Sequence, residues 1–148
     1  NPSLVGSEMC IRDRFWGEEN WEDYYYLGNT RIIDAAVYWK ANSYLSGTLM
    51  CLSFQFQKHL SLGRGGAILC DDKLTYDVLK RMSYDGRNPN TPWKEQDIQN
   101  IGYHYYMTPE TAQLGLDRLP DAEIRKTKKW TSQDYPDLRN MTVFKKHR

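Results

Sequence analysis

A chain of 148 residues with 40% hydrophobic and 14% aromatic side chains can pack one domain core and is too rich in apolar rings for disorder. Twenty basic against nineteen acidic residues leave a net charge of +1, so no global field argues for a nucleic-acid partner. Every apolar run falls short of the ~18 residues a membrane span needs, and Cys10, Cys51 and Cys70 lack metal-ligand spacing.

Residues 1–14 stand apart. Ser3 to Asp13 resembles the translated adapter sequence found at the ends of assembled environmental reads. We expect a non-native, poorly ordered end and leave it out of fold reasoning. A signal peptide is opposed by Glu8, Asp13 and the lack of a long apolar stretch. The partial domain is then expected over residues 15–148. From Phe15 to Gly28 the spacing of Trp21, Tyr24 and Tyr25 predicts one face of a helix, ended by Gly28-Asn29. Arg31 to Asp34 reads as a strand that ends in a carboxylate. A buried carboxylate needs a partner. Asp34 is either a helix N-cap or a functional acid.

Residues 38–46 read as a turn and short connection. Gly47 to Ser53 then reads as a buried strand, and Gly66 to Cys70 as another. Between them lie Ser53, Lys58 and a glycine-rich turn, Gly63-Arg64-Gly65-Gly66. Loops at strand ends are where α/β proteins keep their chemistry. A lysine amine can form a Schiff base with an aldehyde. A serine can donate to a phosphate, and glycines let backbone N–H groups approach an anion. The bland alternative is a surface lysine beside a hairpin. Two of the three cysteines fall in these strands, where thiols are small hydrophobes, which fits a reducing cytoplasm.

Asp72 is expected to cap a helix running to about Met82, with Leu74, Val78, Leu79 and Met82 on one apolar face. Asp85 to Pro92 is a turn-rich loop, either a lid or a plain connector, with Arg87 as its one cation for a phosphate. Thr108 and Pro109 begin a second helix, with Ala112, Leu116 and Leu119 on one face. Leu119-Pro120 is expected to break it and Asp121 to cap a charged helix to about Thr131. A strand is expected at Met141–Phe144.

Four blocks now stand in order: Ile33-Asp34-Ala35-Ala36, Ser53-Phe54 with Lys58, Gly63 to Ile68, and Gly102 to Leu116. Together they resemble the DegT/DnrJ/EryC1/StrS aminotransferases over roughly residues 30–125. That resemblance implies a fold-type-I enzyme using pyridoxal 5'-phosphate. The chain would be a central α/β fragment of its large domain, with αβα layers, an incomplete sheet and exposed apolar surface. It would be inactive alone and bind the cofactor weakly at best. By the same resemblance Asp34 faces the pyridine nitrogen, Ser53 contacts the cofactor phosphate, and Lys58 carries the aldehyde and acts as general base. His104 stands where relatives have an asparagine that reaches the partner subunit's cofactor phosphate. Val37 replaces a usual glutamine or histidine, and Tyr106 a usual arginine.

The implied reaction moves an amino group from glutamate or glutamine to a nucleotide-linked keto-sugar, in a cytoplasmic homodimer with no nucleic-acid or membrane partner. Two other readings stay open. One is a non-catalytic binding or regulatory module on the same scaffold. The other is a bare phosphate-binding α/β domain, in which Asp34 and Lys58 would lie far apart.

Overall fold

The computed structural model describes residues 20–137 and 140–145. The expected loose end at 1–14, with Cys10, lies outside the described residues.

Four strands form one mixed sheet in the order β1 (Tyr25–Tyr26), β2 (Ile32–Asp34), β3 (Leu49–Ser53) and β4 (Gly66–Leu69). β1 and β2 run antiparallel, β2 and β3 parallel, β3 and β4 antiparallel. The helix expected up to Gly28 is not formed over residues 20–28. Tyr24, Tyr25 and Tyr26 are aromatic strand formers. The Gly28-Asn29 turn folds them back onto β2, with the Leu27 N–H donating to the Ile32 carbonyl at 2.9 Å. The β2, β3 and β4 expectations hold to within two residues.

Alternation sorts the sheet into two faces. Ile33, Met50 and Leu52 point to one of them. The parallel β2–β3 pair needs a long connection, and residues 35–48 supply it without a helix. This connection folds back over the apolar face. Tyr38, Tyr44 and Leu45 pack against the buried cluster of Ile33, Ala35 and Met50. Thr48, also buried, donates to the Leu45 carbonyl at 2.6 Å.

Helix α1 (Lys73–Ser83) begins where expected, Asp72 accepting from the Thr75 N–H at 2.7 Å. Its expected apolar face carries no buried residue, and Leu74 is 80% exposed. Helix α2 (Pro109–Ile124) begins at the expected Thr108 cap and Pro109. It does not break at Pro120; Asp121, expected to cap a new helix, lies inside this one, and residues 126–130 are not helical. Proline removes one N–H and crowds the turn before it. Packing holds the last turn all the same, because Ala122 is buried against Leu60 and Leu62. The packed face is Leu114, Leu119 and Ala122, while Leu116 of the expected face is 64% exposed. The strand expected at Met141–Phe144 is instead a one-turn helix, α3 (Thr142–Lys145). With no neighbouring strand to pair with among the described residues, its backbone closes on itself. No helix among the described residues is long and apolar enough to cross a membrane.

Candidate functional site

The face opposite the apolar core carries the polar residues of β2 and β3. Asp34 pairs in register with Cys51, and Ser53 follows two residues on. Asp34, Cys51 and Ser53 therefore share one face. Asp34 is 4% exposed, and both of its oxygens have donors. The Tyr25 hydroxyl donates to Oδ2 at 2.6 Å, and the Ala36 N–H to Oδ1 at 2.9 Å. The second bond makes a local turn just past the strand. Burial and the adjacent Asp34 carboxylate push the Cys51 thiol up to about 11.

β3 leads directly into the loop 54–65. The Ser53 hydroxyl accepts a long bond of 3.4 Å from the Gln55 N–H. The loop folds back on itself: the Leu62 N–H donates to the Phe54 carbonyl at 2.9 Å, and the Phe56 N–H to the Gly63 carbonyl at 3.1 Å. Gly63 and Gly65 take φ of 87° and 104°, the left-handed freedom expected of the glycine turn. Lys58 is half-buried in this loop, and its amine makes no hydrogen bond or ion pair among the described residues. Its backbone N–H closes a turn onto the Gln55 carbonyl at 2.8 Å. The next residue, His59, stacks on Trp39 and reaches the Ala122 carbonyl of α2.

Asp34 and Ser53 thus share one face, and Lys58 lies in the loop that leaves it. His104 belongs to a different cluster. Its Nδ1 is 3.3 Å from Asp85 Oδ2, its ring meets Tyr106 edge-on, and it is bridged to Tyr84 beside the end of α1. None of its contacts is with Asp34, Ser53 or Lys58. The same loop nevertheless approaches the glycine turn, because a Cβ on Gly65 would meet Met107 at 3.7 Å. Arg87 is already engaged, by Asp85 at 2.7 Å and by the rings of Tyr84 and Trp93. Val37 is half-buried after the turn at Ala36. Among the described residues no cluster of histidine, cysteine or carboxylate side chains could hold a metal.

Tyr25, expected on the packing face of a helix, instead sits on a strand and meets Asp34. The signal was there: two runs of strand formers flank Gly28-Asn29, which is a hairpin pattern. An open cleft of about 470 Å³ lies beside Tyr25, lined in part by Trp21, Tyr24, Tyr26 and Tyr38. Ser53, Lys58 and His104 do not line it.

A family model described as the DegT/DnrJ/EryC1/StrS aminotransferase family matches residues 43–138, well over half of the chain. The matched span holds Ser53, Lys58 and His104, and Asp34 lies just ahead of it. No curated protein and no solved structure matches.

Proposed function

The chain belongs to the DegT/DnrJ/EryC1/StrS aminotransferase family, and from that premise we propose that it carries the cofactor-binding centre of a pyridoxal-phosphate sugar aminotransferase. The observation that carries this reading is the common face of Asp34 and Ser53, with Lys58 in the loop that follows. That donor set suits the cofactor. A buried carboxylate matches a ring N–H, a hydroxyl that donates to no group among the described residues suits a phosphate, and an amine without a partner among them suits an aldehyde.

When bound, pyridoxal phosphate supplies an electron sink for the carbanion at the amino-bearing carbon. The chain's own residues do the rest. Asp34, oriented by Tyr25 and Ala36, holds the proton at the ring nitrogen. Ser53 and the N–H groups of the glycine turn bind the phosphate. The Lys58 amine takes and returns the proton at the reacting carbon. His104 would reach a second subunit's cofactor phosphate in a homodimer.

The amino donor is proposed as glutamate or glutamine and the acceptor as a nucleotide-linked keto-sugar, in the cytoplasm. The chain is further proposed to be part of a larger, αβα-layered domain. The number of large apolar side chains left exposed among the described residues, Leu74, Ile101, Leu116 and Ile124 among them, supports this.

The test is to add pyridoxal phosphate to the chain, follow the visible absorbance, reduce with borohydride and map the label by peptide mass. The expected result is a single pyridoxyl group on Lys58, absent in Lys58→Ala. A label that stays in Lys58→Ala, or falls elsewhere, overturns the assignment. Val37, His104 and Tyr106, which depart from the usual family residues, favour a second reading as a non-catalytic binding or regulatory module. In that case cofactor is retained but no amino acid donates to it.

A further inference from the structure

We propose that Tyr25 is a positioning residue, its hydroxyl setting the direction in which the Asp34 carboxylate meets the ring nitrogen of the cofactor. This rests on the cofactor reading above.

A carboxylate can turn about its last side-chain bond. The Ala36 N–H anchors only Oδ1, and it belongs to the same short turn as Asp34 itself. A second anchor from outside that turn fixes the plane of the group. Tyr25 provides it from the neighbouring strand, 2.6 Å from Oδ2. The antiparallel register sets Tyr25 directly opposite Asp34, so a slip of one residue would put the phenol on the other face. Tyr25 is itself held, with Trp21 packed against its ring at 5.2 Å and Trp21 in turn against Tyr135. A carboxylate oxygen accepts more than one hydrogen bond. A ring N–H can therefore join Asp34 without displacing the tyrosine.

The experiment compares two ligands on the intact chain: pyridoxal phosphate, and its analogue with the ring nitrogen replaced by C–H. Their affinity ratio measures the contact with Asp34 alone. Asp34→Asn should remove the preference for the nitrogen ring. Tyr25→Phe should reduce it by about three- to tenfold, the scale of an ordinary hydrogen bond, since the tyrosine acts only through Asp34, and leave the carbon analogue's affinity unchanged. Equal weakening of both ligands means a merely structural tyrosine and overturns the proposal, as does a ratio left at the wild-type value. Should Tyr25→Phe not fold, a fluorinated tyrosine at position 25 keeps the ring and changes only the donor's strength. The ratio should then move, and an unmoved ratio overturns the proposal. If the unaltered chain has no preference between the two rings, the cofactor role of Asp34 fails and this proposal falls with it. A preference that is present but indifferent to position 25 removes Tyr25 alone.

Discussion

The ring of His59 ties the loop that carries Lys58 to the last turn of α2: Nε2 lies 2.7 Å from the carbonyl oxygen of Ala122. A carbonyl can only accept, so Nε2 carries the proton and donates. The last carbonyls of a helix have no partner within it, and here one is answered from 63 residues away in sequence. Arg125 answers in the other direction, its guanidinium donating to the His59 carbonyl. His59→Phe keeps a ring against Trp39 and removes the donor. We expect a loss of about 1–3 kcal/mol, or a fall of several degrees in Tm. Lys58 should also become more reactive toward amine reagents. Thermal melts and labelling rates check both, and an unchanged melt would mean that the helix end does not need this partner.

Gly102 lies so close to the start of the preceding loop that a Cβ there would sit 1.7 Å from the Gly86 nitrogen. Around it, the Tyr103 N–H donates to the Met82 carbonyl and the Asp85 N–H to the Tyr103 carbonyl. The segment with His104 is thereby fastened to the end of α1. Gly102→Ala must push these backbones apart, at a cost on the order of 1–3 kcal/mol. The expected outcome is faster proteolysis between residues 84 and 108. Cleavage at the wild-type rate would contradict the close approach.

The sequence announced the strands around the glycine turn because apolar runs bounded by turn residues have few other readings. The sheet's polar face was legible only in part. Asp34 and Ser53 are legible in the family blocks, whereas only the hairpin pattern around Gly28-Asn29 points to Tyr25, whose contact depends on the register of that hairpin. The 21, 24, 25 spacing also suited a helix, and the turn at Gly28 with three adjacent tyrosines decided for strands. At Pro120 the local rule lost to packing. The burial of Ala122 and the bond from His59 hold a turn that proline alone would end. His104 is legible only through the family resemblance, which places it where relatives have an asparagine. Its partners, Asp85 and Tyr106, come from a backbone pairing that no periodicity revealed.

Asp71 should make the chain sensitive to acid. Hydrogen bonds from the Ser46 hydroxyl at 2.7 Å and the Gly47 N–H at 2.8 Å hold its carboxyl below the ordinary 3.8. A depressed carboxyl contributes stability that is present above its unfolded value and lost as the pH falls through the folded one. The contribution is therefore complete at neutral pH and disappears below about pH 3.8. Urea melts from pH 7 to 2.5 should show this loss, with a shallower decline in Asp71→Asn. Equal slopes would show that the clamp adds nothing.

Cys51 gives the opposite sign. Its thiol is pushed from 9.0 to about 11 by burial first and the Asp34 carboxylate second. The folded state holds this proton more tightly than the unfolded chain does. The corresponding stability is present below pH 9 and lost as the pH rises toward 11. At pH 8 the thiolate is scarce, so Cys51 should resist alkylation. Asp34→Asn removes one of the two causes and should speed alkylation, while burial keeps the rate below that of the unfolded chain. Peptide mapping after timed alkylation measures this. A rate indifferent to Asp34→Asn would mean that the carboxylate does not lie beside the thiol.

Pro120 offers a stabilising change. It stands inside α2 at an exposed position, where it leaves the Leu116 carbonyl without its helical donor. The helix persists because Leu119 and Ala122 pack on Leu60 and Leu62, so packing offsets a local penalty that an alanine would not carry. Pro120→Ala restores the N–H and touches no buried contact. The ceiling on the gain is the propensity difference of about 3 kcal/mol, reduced by whatever entropy proline removes from the unfolded chain. We expect a rise of several degrees in Tm and slower amide exchange at residues 117–124. A fall in Tm would mean that the ring of Pro120 itself packs the helix end, and that the turn beyond it depends on the proline.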